Sequence, residues 1–532
     1  MSARQFILNL SAELLIDSFA GGGGASTGIE MALGRHVDHA INHNAEALGM
    51  HRINHPQTIH YCEDVWAVDP QEVCAGRPVG YAHFSPDCTD FSKAKGGKPR
   101  RKKIRGLAWV ILKWAGLVRP RVISLENVEE FQGWGPVLAN GKRCPKRIGK
   151  TFRKFVRQLR ELGYVVDWRE LRASDYGAPT IRKRLFLIAR CDGKSIIWPK
   201  PTHYATKAEA REHGGKLWRS VAECIDWDLP CPSIFLSKKE ARAWRCKRPL
   251  VLPTMRRIAK GIGRFVLNTT NPFLVKLSSP FITEHANASN QRNMRANEPL
   301  RTVCADVKGG HFAVVSPTLA PTLVNAANTK TTGRGPNTWG VEEPLRTITS
   351  APGFAVVTGS LVQTGYGERE GQEPRAMDAG EPLRTVTAKA RMAHVQSTVV
   401  HPLTPELEAG ARRVAAFLRE HGVEIEGEFA TVAGGWIIVD IGMRMLTPRE
   451  LFRAQGFPET YIIDKAWLIN PAKSALREVT LTKEQQIRMC GNSVSPPVLA
   501  ALVKANVPEL ALPPEPKRRR MISPSITGLP QR

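Results

Sequence analysis

Cys88 lies in Tyr81-Ala82-His83-Phe84-Ser85-Pro86-Asp87-Cys88-Thr89-Asp90-Phe91-Ser92, an apolar run that stops at a proline-bounded turn. A thiol is a candidate nucleophile where cationic groups depress its pKa. Here the next segment, Lys93–Arg105, holds eight Lys or Arg among 13 residues and no acid. Most intracellular cysteines are inert small hydrophobes, so Cys88 gains weight only from its surroundings. A second candidate is the run Leu14-Leu15-Ile16-Asp17-Ser18-Phe19, which opens into Ala20-Gly21-Gly22-Gly23-Gly24 and then a helical stretch over 25–33. Strand, glycine turn and helix N-terminus let a backbone approach a ligand closely, although tight turns also need glycine for their own geometry. A third is Glu126, directly after the apolar run Val122-Ile123-Ser124-Leu125. If burial raises its pKa, this carboxyl suits proton donation; an acid at an exposed helix start would only complement the helix dipole.

The elements that must position these groups alternate. Further apolar runs fall at His39–Asn42, Thr58–Tyr61, Tyr81–Phe84, Tyr164–Val166 and Arg184–Ala189, with helical patterns at Ala45–Asn54, Ile104–Leu117 and Phe152–Leu162. Such alternation predicts an α/β, doubly wound, mostly parallel Rossmann-like sheet. In such sheets ligands sit at the carboxyl ends of the strands. The glycine loop, Asp64, Cys88 and Glu126 each follow a predicted strand, which joins separate weak features into one site.

The chain has 532 residues, with 76 Lys and Arg against 49 Asp and Glu, a formal net charge of +27. That excess points to a polyanionic partner, nucleic acid by default. The ten cysteines form no CxxC pair, so neither a zinc site nor a disulfide framework is expected, and no metal. With no signal peptide and no long apolar segment, a cytoplasmic protein without membrane association is expected.

Taken together, six segments resemble motifs of the DNA cytosine-5 methyltransferase family, in the family's order. Asp17–Gly24 resembles its S-adenosylmethionine loop, and Ser85–Ser92 its nucleophile motif. Glu126-Asn127-Val128 resembles its Glu-Asn-Val, and Thr180-Ile181-Arg182-Lys183-Arg184 its Gln-x-Arg-x-Arg. Leu446–Glu450 with Gln455-Gly456-Phe457-Pro458, and Gly491-Asn492-Ser493-Val494, resemble its last two motifs. The resemblance covers roughly residues 14–195 and 441–505.

It implies methyl transfer from S-adenosylmethionine to C5 of cytosine in flipped-out double-stranded DNA, through a covalent bond from Cys88 to C6. Glu126, Arg182 and Arg184 would complete the catalytic set. The two arginines, two apart on a predicted strand, would project to one side, one toward the base and one toward a phosphate. Phe19, Ala20, Gly21, Gly23, Asn42, Asp64, Val65, Pro86, Asn492, Ser493 and Val494 would line the cofactor pocket. Three positions depart from the family pattern: Asp87 for its second proline, Thr180 for its glutamine, and Asn42-His43-Asn44 where an acid often meets the ribose.

The basic segment with Lys93, Lys95, Lys98, Arg100 and Arg101, hinged at Gly96-Gly97, fits a loop closing on DNA. Residues 199–440 break the alternation. Glu298-Pro299-Leu300-Arg301-Thr302 recurs at 343–347 and 381–385, which suggests β-rich units. They are read as a target-recognition domain, with Arg292, Arg334 and Arg369 as candidate base readers, although such loops also serve as phosphate contacts.

The expected organisation is a catalytic domain in two parts, 12–198 and 441–506, flanking that insertion, then a basic tail over 507–532 containing Lys517-Arg518-Arg519-Arg520. Thr447-Pro448-Arg449-Glu450 and Thr482-Lys483-Glu484-Gln485 have the form of capping boxes. A monomer of bacterial or phage origin is expected, with a cognate restriction endonuclease as a candidate partner. Two rival readings are an RNA cytosine-5 methyltransferase and a DNA-binding protein with impaired catalysis.

Overall fold

The computed structural model describes residues 13–87, 106–136, 144–269, 280–285, 293–303, 311–321, 404–432, 436–470 and 475–512, with single residues and short strands between them. Its first sheet has seven strands in the order β3-β2-β1-β4-β5-β7-β6. They are β1 (Leu14–Ser18), β2 (His39–Ile41), β3 (Ile59–Tyr61), β4 (Val79–Phe84), β5 (Val122–Asn127), β6 (Val165–Arg172) and β7 (Lys183–Arg190). The first five pair in parallel, while β7 runs antiparallel between β5 and β6. β1, β4 and β5 are buried on both faces, as their unbroken apolar runs require.

The helices are α1 (Gly24–Leu33), α2 (Ala45–Asn54), α3 (Pro70–Cys74), α4 (Val110–Leu117) and α5 (Lys150–Glu161). Trp114 of α4 and Phe155 of α5 are fully enclosed in the core on one face of the sheet. On the other face α1 packs with α10 (Pro496–Asn506), which returns from the far end of the chain. α5 shows why these residues form a helix with one inner face: Phe152, Phe155, Val156 and Leu159 are buried, while Arg153, Lys154 and Arg157 are exposed. α2 begins where Asn44 accepts a hydrogen bond from the Ala47 N–H.

The insertion is β-rich, as expected. A five-stranded sheet in the order β9-β8-β10-β12-β11 contains β8 (Phe281–His285), β9 (Asn293–Arg295), β10 (His311–Pro321), β11 (Thr431–Val432) and β12 (Trp436–Met445). All its pairings are antiparallel. Two three-stranded antiparallel sheets lie within residues 323–396. Two helices that the sequence reading missed, α6 (Leu252–Ile262) and α7 (Pro405–Glu420), bury Ile258, Ile262, Val414 and Leu418 against the five-stranded sheet.

Three expectations change. β12 crosses residues 440 and 441, so the five-stranded sheet extends past the expected domain boundary to Met445. The first repeat is part of the junction between the sheets: Leu300 bridges Thr180, the Ile181 N–H donates to the Leu300 carbonyl and the Leu300 N–H to the Pro179 carbonyl. Residues 507–512 pack as body rather than tail, with Leu510 buried, Glu509 paired to Arg121 and Lys194, and the Leu512 N–H bonded to the Leu33 carbonyl. Lys517–Arg520 and the second and third repeats lie outside the described residues.

Both capping boxes are present. Thr447 and Glu450 open α8 (Pro448–Ala454), and Thr482 and Gln485 open α9 (Lys483–Asn492). Among the described residues, no helix is long and apolar enough to cross a membrane.

Candidate active site at the carboxyl edge of the sheet

The glycine loop leaves β1 through Phe19, whose φ of 65° places a bulky side chain in the left-handed region, at a cost of roughly 1–2 kcal/mol. The Ala20 N–H donates to the Ile41 carbonyl and the Gly23 N–H to the Ala20 carbonyl, which fixes the turn. The glycines serve opposite ends. A side chain on Gly21 would meet only the Phe19 carbonyl within 4 Å, so that position faces open space. On Gly24 it would collide with Ser493 Oγ and the Val494 carbonyl, and on Gly23 with the Tyr461 hydroxyl and His55. The loop is therefore open toward one side and packed by the C-terminal segment on the other.

β4 ends beside this loop. The Ser85 N–H donates to the Ser18 carbonyl, and the Ser85 hydroxyl to the Phe19 carbonyl. Pro86 is buried, and its carbonyl accepts from Asn127 Nδ2 at 3.0 Å. Asn127, which the sequence reading placed in a motif without a role, thus ties the end of β5 to the segment leading to Cys88. Cys88 itself lies outside the described residues, as do Lys93, Lys95, Lys98, Arg100, Arg101, Arg292, Arg334 and Arg369.

Glu126, the penultimate residue of β5, is 7% exposed, and burial raises its pKa while Arg184 and then Arg182 hold it partly back. Arg184 Nε stands 3.3 Å from Glu126 Oε1, outside hydrogen-bonding geometry, so that oxygen has no hydrogen-bond partner among the described residues. A buried acceptor left in this state is ready for a ligand donor.

Arg182 differs from expectation. It precedes β7 instead of sharing a strand face with Arg184, and its guanidinium donates to the carbonyls of Val303, Gly491 and Ser493. It clamps the last motif and the insertion to the sheet. Thr180 supports the same junction, accepting from the Arg182 N–H and donating to the Arg301 carbonyl.

The remaining pocket residues fall around the strand ends. Asn42 follows β2, buried, with Oδ1 accepting from the Asn44 N–H. Asp64 is exposed after β3 and accepts from the Trp66 N–H, whereas Val65 is packed into the core. Asn492 ends α9 and is exposed; Ser493 and Val494 are buried, and Ser493 Oγ has no partner among the described residues. The glycine turn, open at Gly21, leaves backbone room for a polar nucleoside cofactor, and Ser18 Oγ and Ser493 Oγ nearby in the chain are buried without a partner among the described residues.

Behind the loop, Asp17 Oδ2 accepts from the Ser26 hydroxyl at 2.7 Å, and burial pushes its pKa up to about 7. Ser26 Oγ lies 2.9 Å from His51 Nε2, and His51 Nδ1 lies 2.9 Å from His60 Nε2. Because Ser26 donates to Asp17, it accepts from His51, which in turn accepts from His60. Burial lowers the pKa of both histidines, that of His60 to about 3, so the chain is built from neutral rings.

Residues 14–224 and 415–507 match the family model described as C-5 cytosine-specific DNA methylase. The chain is 30% identical over 198 residues to Type II methyltransferase M.AgeI of Thalassovita gelatinovora, covering 35% of this chain and 42% of that protein. It is 29% identical over 213 residues to Type II methyltransferase M1.HphI of Haemophilus parahaemolyticus, covering 38% and 53%. These matches thus span about half the length of the relatives, or less. A solved structure of a DNMT2 variant from Spodoptera frugiperda aligns over 93% of this chain and 99% of that one, with a TM-score of 0.44 and 14% identity.

Proposed function

The chain belongs to the C-5 cytosine-specific DNA methylase family, and from that premise we propose that it transfers a methyl group from S-adenosylmethionine to C5 of cytosine in double-stranded DNA. The observation that carries this reading is Glu126, a buried carboxyl with a raised pKa and an unpartnered oxygen, beside a strand end tied to the Pro86 carbonyl.

C5 of cytosine is a weak nucleophile. In the proposed mechanism the Cys88 thiolate bonds to C6, and the displaced ring electrons move toward N3, where Glu126 donates its proton. C5 then takes the methyl group and loses its proton to water, the N3 proton returns to Glu126, and the C6–S bond breaks to release Cys88 as the thiolate. S-adenosylmethionine supplies the electrophilic methyl group. The backbone of Phe19, Ala20, Gly21 and Gly23, with Asn42, Asp64, Val65, Pro86 and Asn492–Val494, would hold it. Arg184 keeps the Glu126 proton transferable by offsetting part of its desolvation, and Arg182 acts as a positioning residue. The target base must leave the duplex. Lys93, Lys95, Lys98, Arg100 and Arg101 would close over the phosphates, and Arg292, Arg334 and Arg369 would read bases from the insertion.

We assign catalysis to the seven-stranded sheet with α8–α10, and target recognition to the five-stranded sheet with the repeats. The protein would act as a cytoplasmic monomer, with or without a cognate restriction endonuclease. Labelled-methyl transfer to duplex DNA and to transfer RNA, in wild-type and Cys88→Ala protein, tests the reading. Transfer to DNA by the wild type alone supports it. Equal transfer by both proteins, or transfer confined to RNA, rejects it.

A further inference from the structure

Three side chains the proposed reaction does not use converge on the reverse side of the glycine loop. Glu30 is in the last turn of α1, His36 follows the Gly34 turn, and His55 caps α2. Both His36 Nδ1 and His55 Nδ1 lie 2.8 Å from the same oxygen, Glu30 Oε1. The three potential ligand atoms all fall within 4.8 Å of one another.

The surroundings decide where the protons are. The Thr27 hydroxyl donates to the Gly23 carbonyl, and the Tyr461 hydroxyl to the Gly22 carbonyl. Toward His55 Nε2, 3.4 Å from Thr27 Oγ1 and 3.5 Å from the Tyr461 oxygen, each can therefore only accept. The Nε2 atom carries the hydrogen, and Nδ1 is turned toward a carboxylate oxygen. A neutral ring in that tautomer sets lone pair against lone pair at 2.8 Å. Either a second proton or a cation must lie between them.

We propose that Glu30, His36 and His55 form a binding site for a divalent transition-metal ion of the zinc class. Two imidazole nitrogens and one carboxylate oxygen suit that ion and disfavour magnesium or calcium, which prefer all-oxygen shells. The Nε2–H of His55, held by Thr27 and Tyr461, is the outer hydrogen bond that fixes a metal-ligating imidazole. Bonds of about 2.0–2.1 Å in a tetrahedral shell set ligand atoms roughly 3.3 Å apart, so each imidazole nitrogen moves back from the Glu30 oxygen, now 2.8 Å away, by about half an ångström to admit the ion. His36, 47% exposed, leaves the fourth position to water.

No local spacing marks this site, because its ligands come from two helix ends and a turn instead of a short Cys or His repeat. An ion there would join α1 to α2 and, through Thr27 and Tyr461, brace the carbonyls of Gly22 and Gly23 from behind. The site stands whether or not the proposed reaction is correct.

The test uses the full chain after chelation and dialysis, with Co²⁺ as the optical probe and Zn²⁺ as competitor. One equivalent of Co²⁺ should give the visible d–d bands of a tetrahedral nitrogen and oxygen site, abolished by Zn²⁺. His36→Ala, at a half-exposed position, should weaken Zn²⁺ binding by about tenfold or more and remove the rise in Tm that Zn²⁺ gives the wild type. Absent bands, bands dominated by thiolate-to-cobalt charge transfer, or Zn²⁺ affinity unchanged in His36→Ala would overturn the proposal. Glu30→Gln checks the result from a second ligand, with the same loss expected.

Discussion

In the seven-stranded sheet, buried oxygens without a hydrogen-bond partner among the described residues occur at strand ends that share an edge: Ser18 closes β1, and Glu126 stands one residue from the end of β5. In the five-stranded sheet the buried oxygens without a partner among the described residues are Thr283 Oγ1, in the middle of β8, and Asn293 Oδ1, opposite it at the start of β9. The segment after β9 is fastened to the first sheet, where Leu300 bridges Thr180 and the Val303 carbonyl accepts from Arg182. The position of an unsatisfied atom is thus more informative than its presence. Ser18 and Glu126 lie at the carboxyl edge of a parallel sheet, where ligands bind; Thr283 and Asn293 are a cross-strand pair within an antiparallel one. On the proposed reading, one sheet holds the chemistry and the other is fastened to it.

The sharpest way to break that contrast is Glu126→Gln, expected to lower single-turnover methyl transfer by roughly 10²–10⁴-fold with cofactor binding retained. The wild-type carboxyl, its pKa raised by burial, is protonated at low pH and loses its donor role as pH rises through that raised value. The variant should lack this alkaline limb in its pH–rate profile.

Asp17 tests the same edge through stability. Its pKa is about 7 in the folded protein against an ordinary 3.8, so folding holds its proton more tightly than the unfolded chain does. Stability from this group is complete below the ordinary value and is lost as pH rises toward 7. Asp17→Asn should therefore gain on the wild type over that window by up to roughly 4 kcal/mol, read as a pH-dependent difference in denaturation midpoints.

The junction has its own tests. Arg182→Ala leaves three buried carbonyl acceptors without their donor and should cost about 3 kcal/mol in urea unfolding, with activity falling because the last motif loosens. Leu300→Ala should cost roughly 2–3 kcal/mol, since the side chain is fully buried between the sheets. Its effect on DNA binding should exceed its effect on cofactor binding. Equal effects would mean that the sheets do not divide the work.

Local chemistry made much of the first sheet legible. The Asn44 cap bounds α2 at the predicted residues, the Thr447 and Thr482 boxes open α8 and α9, and the strand ends collect the glycine loop, Asp64 and Glu126. α7 carries a comparable start in Thr404-Pro405, obscured by the repeats read around it. What stayed hidden is long-range. Arg182 meets Gly491 across 309 residues, and Tyr461 meets Gly22 across 439, which no periodicity encodes. The resemblance put Arg182 and Arg184 on one strand face, one toward the base and one toward a phosphate, yet only Arg184, which stands beside Glu126, is on the strand. Glu30, His36 and His55 converge for the same nonlocal reason.

The most direct measurement is intact-mass and peptide analysis after incubating the enzyme with S-adenosylmethionine and a duplex carrying 5-fluorocytosine at the target position. Fluorine at C5 blocks the final proton loss, so a methylated DNA–protein conjugate should accumulate, with the bond mapped to Cys88. No conjugate on a duplex that is methylated when it carries ordinary cytosine, or a bond through another side chain, would contradict the account.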